Sequence, residues 1–434
     1  MISTFFLNLI FLLNINLFVI TKSEDYLTVE NLLQWSQKNG IKISPKIKIS
    51  FDKGVNVTAI EDIPQKEELI SFPEKMILNI DKILDLINSP ELKTQYENFK
   101  KLEMESYKPR NDEIHKEEIF LAYIFYLMKN EEEKYKNTEF YKTFKELILS
   151  IEKFNPNSPL LYTNEQKQYI SGTYFGLFSQ EIRKTINKEI DIFKSDSYYN
   201  KNIDANDYIQ KRLFVFNRGY DTTKKELGEI IIAPIYTLFP FDNIGSNARI
   251  DIKYGEGAKI LSTYSIKKGS QITVYSHSKN NVEKFVFEGR MNNYLTTYKE
   301  NYLIPTYSPY FYYKYDIDDI KLLESHYFNI FDNFFEKKAR AYYKEHADIF
   351  KVKEATELWA CYMVQENLEY YKNFVENLTK RVDEIFKGEN EEKIYQLNRA
   401  LKGEWLNLNK KYERIVELCG YEKKRDIESR TEDL

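Results

Sequence analysis

At 434 residues the chain is long enough for two domains, or for one domain with a large insert, and for a packed core in either case. Its 63 basic and 67 acidic side chains give a net charge of -4 and are spread through the sequence, so no basic stripe marks a nucleic-acid partner. The 35 Tyr and 29 Phe supply apolar mass that long disordered chains lack.

The chain opens with FFLNLIFLLNINLFVI at residues 5–20, an apolar stretch interrupted by Asn8, Asn14 and Asn16. It is short for a membrane span of about 20 residues, and it reads as a cleaved secretory signal over residues 1–22. A signal anchor is the alternative. The expected location is therefore the secretory pathway, whether secreted, vesicular or onward to an organelle. No later segment is long and apolar enough to leave a stable membrane span. Cys361 and Cys419 are the two cysteines; they make no disulfide framework, and pairing and two buried thiols both stay open. Asn56-Val57-Thr58 and Asn377-Leu378-Thr379 are N-glycosylation sequons.

Residues 29–40 have apolar positions at helical spacing and stop at Gly40. Alternating apolar and polar residues then predict a small β-unit up to Leu78, with turns near Asp52-Lys53-Gly54 and Pro64-Gln65. From Asn79 to about Lys211 the periodicity becomes helical, interrupted by NPNSPLLYTNEQ, which reads as a loop. Strand-like sequence returns from Glu229 to Val274 as EIIIAPIYTLF, ARIDIKY, AKILSTYSI and SQITVYS, with turns at Gly255-Glu256-Gly257 and Lys267-Lys268-Gly269. Amphipathic helices fill residues 317–420, and a charged tail follows at 423–434. Neither β-piece can bury a face alone, so the two are expected to meet as one small α+β sheet domain around the helical insert.

Several stretches in this order carry a resemblance. Phe51-Asp52-Lys53-Gly54-Val55-Asn56-Val57-Thr58-Ala59 is followed by Glu61-Asp62-Ile63 and Glu67-Glu68-Leu69-Ile70. Pro159 to Thr163 precedes Gly172-Thr173; Phe214-Val215-Phe216-Asn217-Arg218-Gly219-Tyr220 comes next; Ile232-Ala233-Pro234 leads to Ala248-Arg249. Ile266 to Tyr275 and Lys279 to Gly289 follow, and Asn390 to Leu401 lies near the end. Together they are similar to motifs of the SET-domain protein methyltransferases of the Rubisco large-subunit methyltransferase type, which include the actin-histidine methyltransferase. The resemblance runs over residues 29–420. It implies an α+β fold with a split SET domain at 29–303 around a helical insert at about 79–211. An all-helical substrate-binding-like domain follows at 310–422.

The same resemblance implies methyl transfer from S-adenosylmethionine to a protein side chain. That reaction is an in-line displacement by a neutral amine or imidazole, in which alignment and exclusion of water supply much of the rate. The tyrosine that ends the family's channel strand is Tyr275. The cofactor positions fall on Gly54, Asn56, Arg218, Pro240, Phe241, Asp242 and Asn243, where Arg218 would pair with the cofactor carboxylate. Four positions depart from the family pattern: Asn56 stands for a glycine, Pro240-Phe241 for an Asn-His pair, Thr237 for an aspartate and Glu288 for a tyrosine. A non-catalytic SET-fold protein that binds a partner chain in the secretory pathway is the second reading, and the C-terminal helices would supply the protein- or peptide-binding surface in both. His115, His277, His326 and His346 have no metal-ligand spacing, so no metal is expected.

Overall fold

The computed structural model describes residues 29–51, 55–102, 112–152, 157–195, 202–221, 230–242, 245–253, 255–275, 281–289, 302–305, 312–315 and 372–406. The expected signal, both cysteines, Gly54 and Asn243 lie outside the described residues. Among the described residues no helix is long and apolar enough to cross a membrane.

Helix α1 covers residues 29–38, and Gly40 follows in the left-handed region at φ 89°, where a glycine carries no Cβ penalty. Strand β1 (Lys42–Ile43) precedes a hairpin of β2 (Ile47–Phe51) and β3 (Val55–Ala59), with Ile47 opposite Ala59. Strand β4 (Glu68–Phe72) closes the first β-piece. The helical stretch then holds α2 (Ile80–Ile87), α3 (Pro90–Lys101), α4 (Asp112–Asn130), α5 (Glu132–Tyr135), α6 (Glu139–Glu152), α7 (Asn164–Ile170), α8 (Tyr174–Ser195) and α9 (Ala205–Arg218). Helix α7 begins inside the segment read as a loop. Thr163 accepts from the Gln166 N–H while the Gln166 side chain accepts from the Thr163 N–H, a capping box that starts the helix.

The second β-piece contains β5 (Tyr220–Asp221), β6 (Ile230–Ile231), β7 (Phe241–Asp242), β8 (Ala248–Lys253), β9 (Gly257–Ser262) and β10 (Val274–Tyr275). The apolar run EIIIAPIYTLF is not one strand. Only Ile230–Ile231 pairs as β6, and Tyr236–Leu238 forms a short 3-10 helix. Pro234 has no N–H for a ladder, and every residue from 230 to 239 is buried, so this run is a buried crossing segment.

The two β-pieces meet as the sequence leads one to expect. The six-stranded sheet has the order β1-β4-β9-β8-β10-β7. Antiparallel pairing sets Ile70 opposite Ile260 and Phe72 opposite Ala258, joining strands from either side of the helical stretch. Isolated bridges at Thr58–Gln271, Ile63–Ile266 and Leu78–Ile232 add to this. Gly257 sits at φ 102° where a Cβ would lie 2.1 Å from the Phe72 carbonyl oxygen, which explains glycine at this close approach of β9 to β4.

The chain divides into two compact units, residues 1–156 with 182–279 and residues 157–181 with 280–434. In the first, α4 is buried on all sides from Glu118 to Met128 and packs along α9. Tyr123 stacks on Phe193 at 4.3 Å between ring centroids. Within this core Arg212 meets Glu118 at 3.0 Å and Glu189 at 3.2 Å, and Tyr208 donates to Glu189 at 3.1 Å. The second unit holds α7, α10 (Asn281–Glu288), α11 (372–385) and α12 (391–406). It also contains the antiparallel pair β11 (Tyr302–Pro305) and β12 (Tyr312–Tyr315), so strand stands at the start of the segment read as all-helical.

Candidate functional site

The site of interest forms where β10 enters the sheet. Short parallel strands need neighbours on both sides, because two residues of ladder contribute little alone. Here β10 runs parallel to both β7 and β8: Val274 lies opposite Phe241 and Ala248, and Tyr275 opposite Asp242. The Val274 N–H donates to the Pro240 carbonyl at 3.0 Å. Pro240 keeps its acceptor although it lacks an N–H, so the strand tolerates proline at this edge position. Four of the nominated positions, Tyr275 and the three residues Pro240–Asp242, are thus neighbouring backbone.

Arg218 occupies the last turn of α9, where a cation complements the helix dipole. Its Nη1 donates to the Phe239 carbonyl at 2.9 Å. That bond ties the end of α9 to the residue before Pro240 and places the half-buried guanidinium beside the same segment. Thr237, within the 3-10 helix Tyr236–Leu238, is buried and donates its hydroxyl to the Pro234 carbonyl.

Asn56 reaches this region through Gln271. Residues 269–272 run along β3, with Ile272 N–H donating to the Val57 carbonyl at 2.7 Å and Ala59 N–H to the Ser270 carbonyl at 3.0 Å. The Gln271 side chain donates to the Asn56 Oδ1 at 3.0 Å. On the other side of this segment, Asn247 bonds with both edges of its amide: Nδ2 donates to the Gln271 carbonyl at 2.9 Å and Oδ1 accepts from the Thr273 N–H at 2.9 Å. A nearby turn is held electrostatically as well. The Lys268 N–H and the Lys267 ammonium bond Asp62 and hold its carboxyl below the usual range.

The structure therefore gathers Arg218, Pro240, Phe241, Asp242 and Tyr275 at the β7–β10 edge, and it connects Asn56 on β3 to this strand only through Gln271. Glu288 ends α10 in the other unit. Sequence reasoning missed Gln271 and the Phe239 carbonyl. A glutamine between polar and apolar neighbours carries no signal of its partner, and a backbone carbonyl carries none at all. Among the described residues no group of three or more His, Cys, Asp or Glu is placed to hold a metal ion.

No family model matches the sequence, and no curated protein sequence matches it. Solved structures do match. The crystal structure of the SET domain of LSMT bound to lysine and AdoHcy superposes with a TM-score of 0.58 at 13% identity, covering 90% of this chain and 92% of that one. The structure of Rubisco LSMT bound to AdoMet gives a TM-score of 0.58 at 12% identity over the same shares. Rubisco LSMT bound to sinefungin and monomethyllysine gives 0.54 at 13% identity, again over 90% and 92%. The chain has the SET-domain fold.

Proposed function

We propose that this chain is a protein N-methyltransferase that uses S-adenosylmethionine and modifies a lysine or histidine side chain of a protein substrate. One observation carries the reading: Arg218, the Pro240–Asp242 segment and the end of β10 at Tyr275 converge on one edge of the sheet. The solved structures of the same fold are described with AdoMet, AdoHcy, sinefungin, lysine or methyllysine bound, which agrees with this chemistry.

The donor set fits such a cofactor. A guanidinium presents its N–H donors in a planar fork that matches a carboxylate, and the Phe239 contact sets that fork beside the Pro240–Asp242 segment. When bound, the cofactor supplies an electrophilic methyl group on a sulfonium. Arg218 would hold its carboxylate, with Gly54, Asn56 and the loop from Pro240 to Asn243 around it. Tyr275 would line the channel, its hydroxyl oxygen orienting the methyl C–H groups by weak contacts. The protein partner would dock on the C-terminal helices. The domain limits of the sequence analysis belong to the same proposal; a location in the secretory pathway favours the second reading below, unless the chain goes onward to an organelle that holds the cofactor.

A second reading has its own observation. The Thr237 hydroxyl is engaged within its own turn and the Asn56 amide is held by Gln271, so two departures from the family pattern are satisfied by the protein itself. A non-catalytic SET-fold protein that binds a partner chain would keep the sheet in this form.

Titration calorimetry with S-adenosylmethionine separates the two readings. The enzyme reading expects binding, and absence of binding at millimolar cofactor would sink it. With binding established, Tyr275→Phe is expected to slow methyl transfer to lysine and histidine peptides about tenfold, the loss of one or two C–H···O contacts, at nearly unchanged affinity. Equal rates would make the tyrosine structural.

A further inference from the structure

We infer that Asn247 is a positioning residue that sets the register of the strand carrying Tyr275; the part of this inference that concerns catalysis rests on the methyltransferase reading. Three features single it out. First, β10 is only two residues long, and its one described pairing with β8 is Val274 opposite Ala248. So short a parallel ladder does not hold its own register. Second, the Asn247 amide reproduces what an extra stretch of strand would provide. It donates to the Gln271 carbonyl and accepts from the Thr273 N–H, skipping one residue as a ladder does. The backbone adds to this: the N–H groups of Asn247 and Ala248 donate to the Thr273 carbonyl at 3.2 and 3.0 Å, and the Asn247 carbonyl accepts from Thr263 at 2.8 Å. Third, the link continues outward. Gln271, held through its carbonyl by Asn247, donates through its side chain to Asn56 on β3.

Asn247 therefore stands at the centre of a chain that runs from β3 through Gln271 and Thr273 to Val274, whose N–H donates to Pro240. A shift of β10 by one residue would turn every side chain to the opposite face and remove Tyr275 from its place opposite Asp242. A side-chain amide specifies this register because it offers one donor and one acceptor in a fixed plane. Aspartate keeps only the acceptor, and alanine neither.

The test measures amide hydrogen exchange in the full chain for wild type and Asn247→Ala. The expected result is exchange at Thr273 and Val274 faster by about tenfold, with Ile250 and Ile260 in β8 and β9 changed by less than about twofold. Unchanged exchange at Thr273 and Val274, or equal acceleration across the sheet, would overturn the inference. If the alanine variant does not fold, Asn247→Leu, which keeps the size of the side chain and also lacks both groups, is measured in the same way and judged by the same outcomes. Methyl transfer from labelled S-adenosylmethionine to lysine and histidine peptides is then followed for Asn247→Ala, Tyr275→Phe and the double variant. If Asn247 acts through Tyr275, the double variant is no slower than Tyr275→Phe, whereas additive losses contradict a positioning role. If the wild type transfers no methyl group, the functional reading falls, and the exchange result still decides the role of Asn247.

Discussion

The Arg218 side chain makes one structural bond and is proposed to make a second to the cofactor, and one substitution can separate the two. Its bond to the Phe239 carbonyl fixes the end of α9 on the segment before Pro240, and the proposed cofactor carboxylate would require the planar fork of the same guanidinium. Arg218→Lys keeps the charge at the helix terminus but loses the fork. We expect a stability change of about 1 kcal/mol or less by urea denaturation and a loss of about tenfold or more in S-adenosylmethionine affinity by calorimetry. Equal affinity would show that Arg218 only ties the helix to the loop. At this scale the sequence was partly informative. Arg218 and Tyr275 stand within apolar patterns that show in the sequence because the strand and helix around them must pack. Thr237 and Asn56 were visible as departures, but what replaced the missing contacts was not, because Pro234 and Gln271 become their partners only after folding.

Among the elements, α4, α8 and α9 place two carboxylates and one guanidinium in the core of the first unit. Glu118, Glu189 and Arg212 are all buried. Burial holds the Glu189 carboxyl above its ordinary value of 4.5, against the opposing pull of Arg212 and the Tyr208 hydrogen bond. The folded protein thus binds this proton more tightly than the unfolded chain. The resulting stabilisation is complete below the unfolded value and is lost as pH rises through the folded one. Glu189→Gln removes this titration and keeps the shape, so its urea midpoint relative to wild type should rise as the pH is taken up from the unfolded carboxyl's ordinary value. A pH-independent difference would refute the raised value. Arg212→Met instead leaves two carboxylates without their guanidinium and is expected to cost about 3–5 kcal/mol. The amphipathic helices here were legible from their periodicity. The buried ion cluster was not, since a charged residue on a helical face usually meets water, and only the crossing of three helices encloses this one.

Across the whole molecule, the SET fold was readable because several weak motifs occur in a fixed order and the two β-pieces each need the other's face. The segments that failed to read correctly, the run from Glu229 to Phe239 and the start of α7, depend on a buried proline and a capping box that outweigh apolar pattern. The division into two units gives the last prediction. If the cofactor binds at the β7–β10 edge, its contacts belong to the first unit, and a ligand protects from exchange what its binding holds closed. A cofactor at about 100 times its Kd stabilises the state that binds it by about 2.7 kcal/mol. Saturating S-adenosylmethionine should therefore slow exchange at Arg218, at Phe239, Phe241 and Asp242 and at 272–275, and leave α11 and α12 unchanged. A protein partner docking on the C-terminal helices should produce the opposite map. Protection of α11 and α12 by a candidate partner, with no response of the β7–β10 edge to S-adenosylmethionine, would favour the partner-binding reading over the enzyme.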